Sequence, residues 1–486
     1  MRTWILLATL LALPAWAADE GKEMNAVSKA WDRYALSSSQ NKPDSVAMLA
    51  RSSLAHYAFL RDSALYGSAE QLRRLPIPDR VLVYSLRATQ GEAELKALDG
   101  AGVARLCTVE GWCGIAERND GEALPGLTHV TLIGTDGAIG ELAPPTGTQF
   151  VFGPEFVRED GEWKVMPESM TADESSGIDL QVKRSGMAEN DMLQLLLGRF
   201  LGGKRAAPAL VTLERPLTDD ASARARLNEQ WPDYGATYRT RVKALGVKSD
   251  EGDTFAQYAL GSLLVAGNLP QVAPKDEPRG WKLLEQASDG GNSDAAWLVF
   301  EHLMSDKEKY SEAQLQRATT HLQRAASAAN PPAMAAMGSF YFEGAGGLQR
   351  DCRQAADWQA RAEEAGVEHA RNEQVWTWAT CPIAEQRDPA KAMRLADYMV
   401  SKKETLGASE LDTVAAAYAA SKRFTEAATF QQLALDKLAS GETDGIDKKA
   451  VAATRKRMQA RLRGYQSGQD YVQDYNTFAE IMAGNY

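Results

Sequence analysis

The feature that most constrains this fold is a helix–turn–helix pattern near the centre of the chain. Residues 332–344 combine small and aromatic residues and end at a glycine, and residues 355–366 continue with alanines, a tryptophan and a closing glycine. Similar units precede and follow it. One such hairpin cannot bury its own apolar face, so several hairpins must stack into a solenoid.

The repeat has a measurable period. Alanines open the first helix of successive units at Ala256, Ala295, Ala333 and Ala370, in steps of 39, 38 and 37 residues. Small residues let helix backbones approach closely, and aromatic residues fill the grooves between turns. We predict repeat packing at Ala256, Gly261, Ala295, Ala333, Gly338, Tyr341, Trp358, Gly366 and Tyr418. Five tryptophans at helical spacing are expected mainly in the core: Trp281, Trp297, Trp358, Trp376 and Trp378.

These residues resemble the Sel1-like repeat family, a relative of the tetratricopeptide repeat. The unit from Ala333 to Gly366 matches the pattern nearly throughout, whereas the unit from Ala295 has Val299 and Phe300 in place of the glycine. The resemblance implies a mainly α fold, an α-solenoid of helical hairpins, which usually presents a surface to partners. It implies no particular chemistry.

The end of the chain resembles the end of a tetratricopeptide array. Residues 411–428 are similar to one tetratricopeptide unit, and residues 458–471 are similar to the last helix and exit of such arrays. The end repeats of a solenoid are atypical because one face meets water. A basic run is therefore expected to be a solvated capping face: Arg455, Lys456, Arg457, Arg461 and Arg463.

The region before the repeats has a different pattern. Helical periodicity dominates first, with a helix predicted over residues 45–65 that places Leu49, His56 and Leu60 on one face. Strand-like segments follow at residues 129–133, 138–142, 149–152 and 156–157, and the turn Asp160-Gly161 leads into a last strand at 163–165. This order of helices and then a sheet predicts a small α+β domain, and it resembles the NTF2-like (SnoaL-like) cone.

That resemblance implies a pocket between sheet and helices, in which some members carry out acid–base chemistry. The candidate residues are His56, Tyr57 and His129. His56 would act as a base in the pocket, or it would be a hydrogen-bonded histidine at a helix–sheet contact. No aspartate partner can be placed by spacing, and His129 leads a strand at a half-exposed position.

The N-terminus predicts export. Arg2 precedes an apolar run at residues 5–13, and Ala15-Trp16-Ala17 has the pattern of a cleavage site, so we expect a signal peptide cleaved after Ala17. The apolar run is too short to span a bilayer. The periplasm is the favoured compartment and secretion the alternative. The predicted segments are 1–17 signal peptide, 18–171 α+β domain, 172–250 helical linker and cap, 251–400 Sel1-like repeats, 401–438 tetratricopeptide-like unit, and 439–486 capping helix and tail.

Charge and motifs exclude several functions. The formal net charge is −11, and an acidic chain lacks the basic surface that binds nucleic acid. The sequence contains no phosphate-binding glycine loop, HExxH motif, G-x-S-x-G motif or EF-hand series. We therefore predict no enzymatic activity, no cofactor, no metal and no membrane-spanning segment after cleavage.

The four cysteines are predicted to form structural bridges. Cys352 opens the second helix of one unit and Cys381 ends the first helix of the next, so both lie at the same edge of the stack. Cys107 and Cys113 can clip a local loop. The alternative is metal or redox chemistry, but the sequence has neither a CxxC motif nor a His-rich spacing.

Two functions remain open. The repeats predict an adaptor or scaffold that binds a protein or peptide on the concave surface of the solenoid. The alternative is small-ligand binding or catalysis in the N-terminal domain, with the repeats as a localisation module. An enclosed, polar pocket that contains His56 or His129 would favour the alternative, and a pocket filled by side chains would remove it.

Overall fold

The computed structural model divides the chain into two compact units, residues 1–244 and 245–486. It describes residues 15–113, 124, 126–142, 152–171, 174–175, 178, 182, 186–202, 207–267, 272–305, 310–401, 405–440 and 448–473. Most of the predicted signal peptide, residues 1–17, lies outside the described residues. The signal peptide and the six predicted segment boundaries therefore stay predictions.

The first unit begins with helices. They are α1 (Ala15–Ser39), a 3-10 helix (Pro43–Met48), α2 (Arg51–Tyr66), α3 (Ala69–Arg73), α4 (Ile77–Thr89), α5 (Glu92–Lys96) and α6 (Gly100–Val109). After the sheet come a second 3-10 helix (Pro167–Met170), α7 (Glu189–Phe200), α8 (Leu210–Leu213), α9 (Ala221–Glu229) and α10 (Ala236–Asp250), whose last residues belong to the second unit.

The sheet is an antiparallel meander. Its four strands are β1 (Leu127–Ile133), β2 (Gly137–Leu142), β3 (Phe152–Glu159) and β4 (Glu162–Met166), and neighbours in sequence are neighbours in the sheet. Asp160 and Gly161 form the last turn with φ values of 52° and 84°, which Asp and Gly tolerate better than most residues. The predicted α+β character is confirmed.

Two segments differ from the sequence prediction. The helix predicted over 45–65 is interrupted, because Pro43–Met48 is a 3-10 helix and Leu49 and Ala50 are extended before α2 begins at Arg51. Residues 156–157 belong to one strand with Phe152, and Pro154 lies inside that strand. Proline lacks the N–H that a ladder needs, and the pairing of β2 with β3 shifts register opposite Gly153 and Pro154, so the strand continues through an irregularity. Residues 149–151 lie outside the described residues.

The core of the first unit forms where α1 and α2 meet the sheet. Trp31 of α1 is fully buried, and its ring lies 6.5 Å from the ring of Phe156 on β3 in an edge-to-face arrangement. Just before α2, the Ala50 N–H donates to the carbonyl of Val165 on β4 at 3.0 Å. These contacts fix the beginning of α2 against the sheet.

The described part of the second unit consists of helices joined by non-helical segments. The helices are α11 (Thr254–Ala266), α12 (Glu277–Asp289), α13 (Ser293–Leu303), α14 (Glu312–Ser327), α15 (Pro331–Glu343), α16 (Cys352–Glu364), α17 (Ala370–Thr380), α18 (Pro389–Val400), α19 (Ala408–Ala420), α20 (Phe424–Ala439) and α21 (Lys448–Gln466). Consecutive helices pack against each other along the whole array, which confirms the predicted α-solenoid.

Three of the first helices, α11, α13 and α15, begin the same way for a local reason. The side chains of Asp253, Asn292 and Asn330 accept the backbone N–H groups of Ala256, Ala295 and Ala333 at 2.7, 2.8 and 3.1 Å. An Asx side chain at the N-cap satisfies a helix N–H that has no partner within the helix. The repeating alanine is thus the third residue of these three helices, whereas Ala370 is the first residue of α17 and its cap, His369, makes no side-chain hydrogen bond.

Glycine lets the two helices of a hairpin approach closely. A Cβ at Gly338 on α15 would lie 2.6 Å from the Gln359 side chain and 3.0 Å from the Ala355 carbonyl, both on α16. A Cβ at Gly261 would lie 2.9 Å from the carbonyl of Gly280. These distances are shorter than ordinary van der Waals contact, so both positions require glycine.

The other predicted packing residues have mixed environments. Ala256, Ala295, Ala333 and Tyr418 are buried. Tyr341 and Trp358 are half-buried, and Gly366 is exposed with a φ of 90°, so this glycine serves a turn. Among the five repeat tryptophans only Trp378 is buried, and Trp281, Trp297, Trp358 and Trp376 are half-buried. Trp297, Trp358 and Trp376 nevertheless pack against the buried clusters of the array, so they belong to its core together with Trp378, as expected.

Candidate functional site

The first unit contains a cavity of about 380 Å³ between α1, α2, α4 and the end of the sheet. Aromatic and acidic side chains share its wall. It is lined by Trp31, Tyr34, His56, Tyr57, Leu60, Pro78, Asp79, Leu82, Trp112, Cys113, Leu142, Pro167, Glu168, Met170, Thr171, Glu174 and Phe200. The size falls in the range of small-molecule sites.

A histidine–aspartate pair lies in this wall. Nε2 of His56 on α2 is 3.0 Å from Oδ2 of Asp79 in the first turn of α4, and both side chains are less than a tenth exposed. The contact is an ion pair without the alignment of a good hydrogen bond. The Tyr234 hydroxyl donates to the same Oδ2 at 2.5 Å, and its ring packs edge-on against the imidazole. Among the described residues, the imidazole makes no other polar contact.

Arg87 holds the helices that carry this pair. Its guanidinium donates to the carbonyls of Ser63, Ala64 and Gly67 at 3.0, 2.8 and 2.7 Å, at the end of α2, and to that of Leu213 at 2.6 Å. Burial lowers the pKa of Arg87 to about 10. The charge therefore persists at neutral pH, and it satisfies the helix-end carbonyls that have no partner within α2.

Glu168 is a second carboxylate in the cavity wall, and two serine hydroxyls of α2 hold it in place. It lies in the 3-10 helix after β4 and accepts hydrogen bonds from the hydroxyls of Ser53 at 2.7 Å and Ser52 at 3.3 Å, both on α2. Burial raises the pKa of Glu168, and the hydrogen bond from Ser53 opposes that rise. Among the described residues, no Lys or Arg makes an ion pair with it.

Burial also changes the other titratable groups of the wall. It lowers the pKa of His56, but the negative charge and contact of Asp79 and the charge of Glu168 outweigh it, so the net pKa is raised. Burial raises the pKa of Tyr34, Tyr57 and Tyr234. The wall therefore combines neutral phenols, a histidine whose pKa is raised, and three carboxyl groups, those of Asp79, Glu168 and Glu174.

The structure places two of the three sequence candidates in the cavity. His56 and Tyr57 line it, whereas His129 is a half-buried residue of β1 opposite Glu141 and does not line it. Sequence reasoning missed Asp79 and Glu168. Asp79 lies in the first turn of α4, which is a usual position for an acid, so the available signal was only the apolar sequence that follows it.

The second unit contains a groove along its first helices, with a volume of about 470 Å³. Small residues of α15 form the floor. Trp297 of the preceding first helix, α13, and Glu373 of the following first helix, α17, also line the groove. The groove is lined by Trp297, Pro332, Ala335, Ala336, Ser339, Gln359, His369, Ala370 and Glu373. We call this surface the first-helix groove.

The first-helix groove contains hydrogen-bond acceptors that lack donors. Gln359 is 2% exposed, and its Oε1 has no hydrogen-bond partner among the described residues. Burial raises the pKa of Glu373, and a hydrogen bond from the Asn372 amide at 3.4 Å opposes that rise. Oδ1 of the neighbouring Asn372, which does not line the groove, is also buried without a partner among the described residues. Buried acceptors of this kind cost free energy until a donor reaches them.

A non-helical segment of the chain itself packs on the neighbouring helices. After α21, the backbone N–H of Gln473 donates to the carbonyl of Thr380 at the end of α17 at 2.8 Å. The ring of Tyr471 lies 5.7 Å from the ring of Trp376 on the same helix. The array therefore binds an irregular segment through a backbone hydrogen bond and an aromatic contact.

The structure joins the cysteines in two bridges. Cys352 at the start of α16 is bonded to Cys381 after α17, and Cys107 is bonded to Cys113, with Cα–Cα distances of 6.2 and 5.5 Å. In the described part of the chain, no cluster of His, Cys, Asp and Glu could hold a metal ion. No helix of that part is both long enough and apolar enough to cross a membrane.

Comparison with known proteins gives a limited result. No protein-family model matches the sequence, and no curated protein matches it either. A Sel1 repeat protein from Oxalobacter formigenes is similar with 17% identity and a TM-score of 0.30, over 49% of this chain and 96% of that one. A protective antigen of uropathogenic Escherichia coli strains, which displays an SLR fold, is similar with 16% identity and a TM-score of 0.28, over 63% of each chain.

The second unit is an α-solenoid. Its capped alanines, its glycine contacts and its chain of hairpins confirm the resemblance to Sel1-like repeats. The resemblance of the first unit to an NTF2-like cone stays a prediction.

Proposed function

We propose that this protein is an adaptor or scaffold that binds a segment of a partner protein in the first-helix groove. The observation that carries the proposal is the first-helix groove itself, in which small residues lie beside the ring of Trp297 and the carboxyl group of Glu373. Alanine and serine on the floor allow a backbone to approach closely.

The charge of the groove selects the partner segment. Glu373 lies in the wall, and no Lys or Arg lines the groove among the described residues. A basic side chain or a protein N-terminus would pair with Glu373 and recover the free energy lost by burying its carboxylate. Trp297 on the other side of the floor offers an aromatic anchor of the kind that dominates binding energy at interfaces.

The compartment belongs to the same proposal. Two disulfides suit an oxidising environment, and the predicted signal peptide would deliver the protein to the periplasm. The partner would therefore be a periplasmic or cell-surface protein with a basic segment. Secretion into the medium is the alternative destination.

A random-peptide display selection on the full-length oxidised protein tests the role. We expect the selected peptides to carry Lys or Arg, and we expect Ala336→Arg and Glu373→Gln each to weaken their binding about ten-fold or more. Gln354→Arg, on an exposed position of α16 away from the groove, is the matched control and should leave binding unchanged. Peptides that bind all three variants equally, or a selection without basic residues, would overturn the proposal.

A further inference from the structure

The cavity of the first unit has a charge pattern that the proposed peptide-binding role does not use. Its acidic groups are Asp79, Glu168 and Glu174, and His56 is its only basic lining residue in the part of the chain that the structure describes. Asp79 already forms an ion pair with His56. Glu168 accepts its side-chain hydrogen bonds from Ser53 and Ser52, which carry no charge.

The rest of the wall is rich in aromatic rings. Trp31, Tyr34, Tyr57, Trp112 and Phe200 line the cavity together with aliphatic residues. The indole of Trp112 is held in place because its Nε1–H donates to the carbonyl of Phe200 at 2.9 Å. Rings fixed in this way around a carboxylate attract an organic cation through their electron-rich faces.

Other ligand classes fit this wall poorly. An anion would meet the carboxylates without any Lys or Arg to compensate among the described lining residues. A purely apolar molecule would displace water from Glu168 and from the His56–Asp79 pair and leave those groups without compensation. A ligand with a positive charge and an apolar body suits the wall better. Its charge would lie next to Glu168, and its apolar body would pack against the aromatic rings.

We propose that the cavity of the first unit is a binding site for a small organic cation, an amine or a quaternary ammonium compound, whose charge lies against Glu168 and whose apolar part packs against the rings of Tyr34, Tyr57 and Trp112. His56 pairs with Asp79, and Asp79 positions Tyr234, so Glu168 is the buried carboxylate of the wall that meets the ligand without a Lys or Arg partner among the described residues. The volume of about 380 Å³ admits a ligand the size of a substituted choline or a benzylammonium ion.

The test compares cations with matched neutral and anionic probes on the full-length oxidised protein. Choline and benzyltrimethylammonium are titrated by calorimetry, with dimethylbutanol, the neutral carbon isostere of choline, and with benzoate. We expect each cation to bind in a saturable manner, choline about ten-fold tighter than its isostere, and benzoate not to bind. Binding should also change the fluorescence of the tryptophans in the cavity wall.

Variants locate the site. Glu168→Gln should weaken the binding of both cations about ten-fold, because it removes the charge and keeps the shape. Glu162→Gln is the matched control, since Glu162 is an exposed carboxylate on β4 that does not line the cavity. Near-UV circular dichroism establishes that each variant is folded.

Three results would overturn the proposal. They are equal binding of choline and dimethylbutanol, no saturable binding of either cation to the wild-type protein, and unchanged cation binding in folded Glu168→Gln. The first two results are measured on the wild-type protein. They can therefore refute the proposal even if the Glu168→Gln protein does not fold.

Discussion

Arg461 of α21 and Asp412 of α19 form a bidentate ion pair. Nε of Arg461 donates to Oδ1 of Asp412 at 2.9 Å and Nη2 donates to Oδ2 at 2.6 Å, and both side chains are 9% exposed. The amide of Gln431 donates to the same Oδ1 at 2.7 Å. The guanidinium also lies over the rings of Trp376 and Tyr471, at 5.4 and 5.1 Å. One residue therefore links the last helix to two earlier helices and to the C-terminal segment.

This finding corrects the expectation of a solvated basic face. Arg455, Lys456 and Arg463 are exposed on α21 as predicted, and Arg457 is half-buried, but Arg461 is buried against the array. A run of like charges along a helix covers all of its faces, so at least one member can face inward. Its partner, Asp412, lies 49 residues earlier, where sequence spacing gives no indication of the contact.

Removing one member of this pair should destabilise the second unit strongly. Arg461→Ala leaves the Asp412 carboxylate buried without its partner, and we expect a loss of about 3–5 kcal/mol in the free energy of unfolding. Arg463→Ala, on an exposed position of the same helix, should change it by less than about 0.5 kcal/mol. Urea denaturation followed by circular dichroism measures both. Equal stability of the two variants would contradict the structural role of Arg461.

The bridge between Cys352 and Cys381 should stabilise the array. The two cysteines are 29 residues apart, and a bridge over such a loop contributes about 3–4 kcal/mol in the chain-entropy model. Cys107 and Cys113 are 6 residues apart, so loss of their bridge should cost less. Denaturation of the two double Cys→Ser variants compares the contributions. If the variant without the Cys107–Cys113 bridge is the less stable of the two, the predicted order of the two contributions is wrong.

Glycine at position 338 should be essential for the hairpin of α15 and α16. Gly338→Ala places a methyl group 3.0 Å from the Ala355 carbonyl, and we expect a loss of about 1–3 kcal/mol. Gly198 in α7 provides the control, because a Cβ there meets nothing within 4 Å. Gly198→Ala should stabilise the protein by about 0.5–1 kcal/mol, because alanine favours the helix. Thermal unfolding of both variants should give shifts of opposite sign.

The sequence predicted the repeats better than either candidate site. The alanine period is a local signal, and it predicts the hairpins because the contacts that begin each helix lie within a few residues of chain. His56 was selected from its helix face, but Asp79 lies 23 residues later on another helix and Glu168 lies beyond the sheet. His56, Asp79 and Glu168 come together only because of how α2, α4 and β4 pack. The spacing of residues along a single sequence does not predict that packing.

Two buried histidines should give the stability opposite dependences on pH. The pKa of His56 is raised above its usual value of about 6.5, so folding favours its protonated form. Its contribution is fully present below the unfolded pKa and is lost as pH rises through the folded pKa. Burial lowers the pKa of His321, whose Nδ1 lies 2.7 Å from the Ser288 hydroxyl, so its contribution is lost as pH falls.

The stability difference between wild type and variant isolates each histidine. For His56→Gln the difference should be largest at about pH 5 and should shrink as the pH rises, and for His321→Gln it should grow over the same interval. Denaturation midpoints at steps from about pH 5 to pH 9 measure both series. Parallel curves for the two variants would show that Asp79 does not hold the charged form of His56. In that case the cavity would present the Asp79 charge to a ligand as well as that of Glu168.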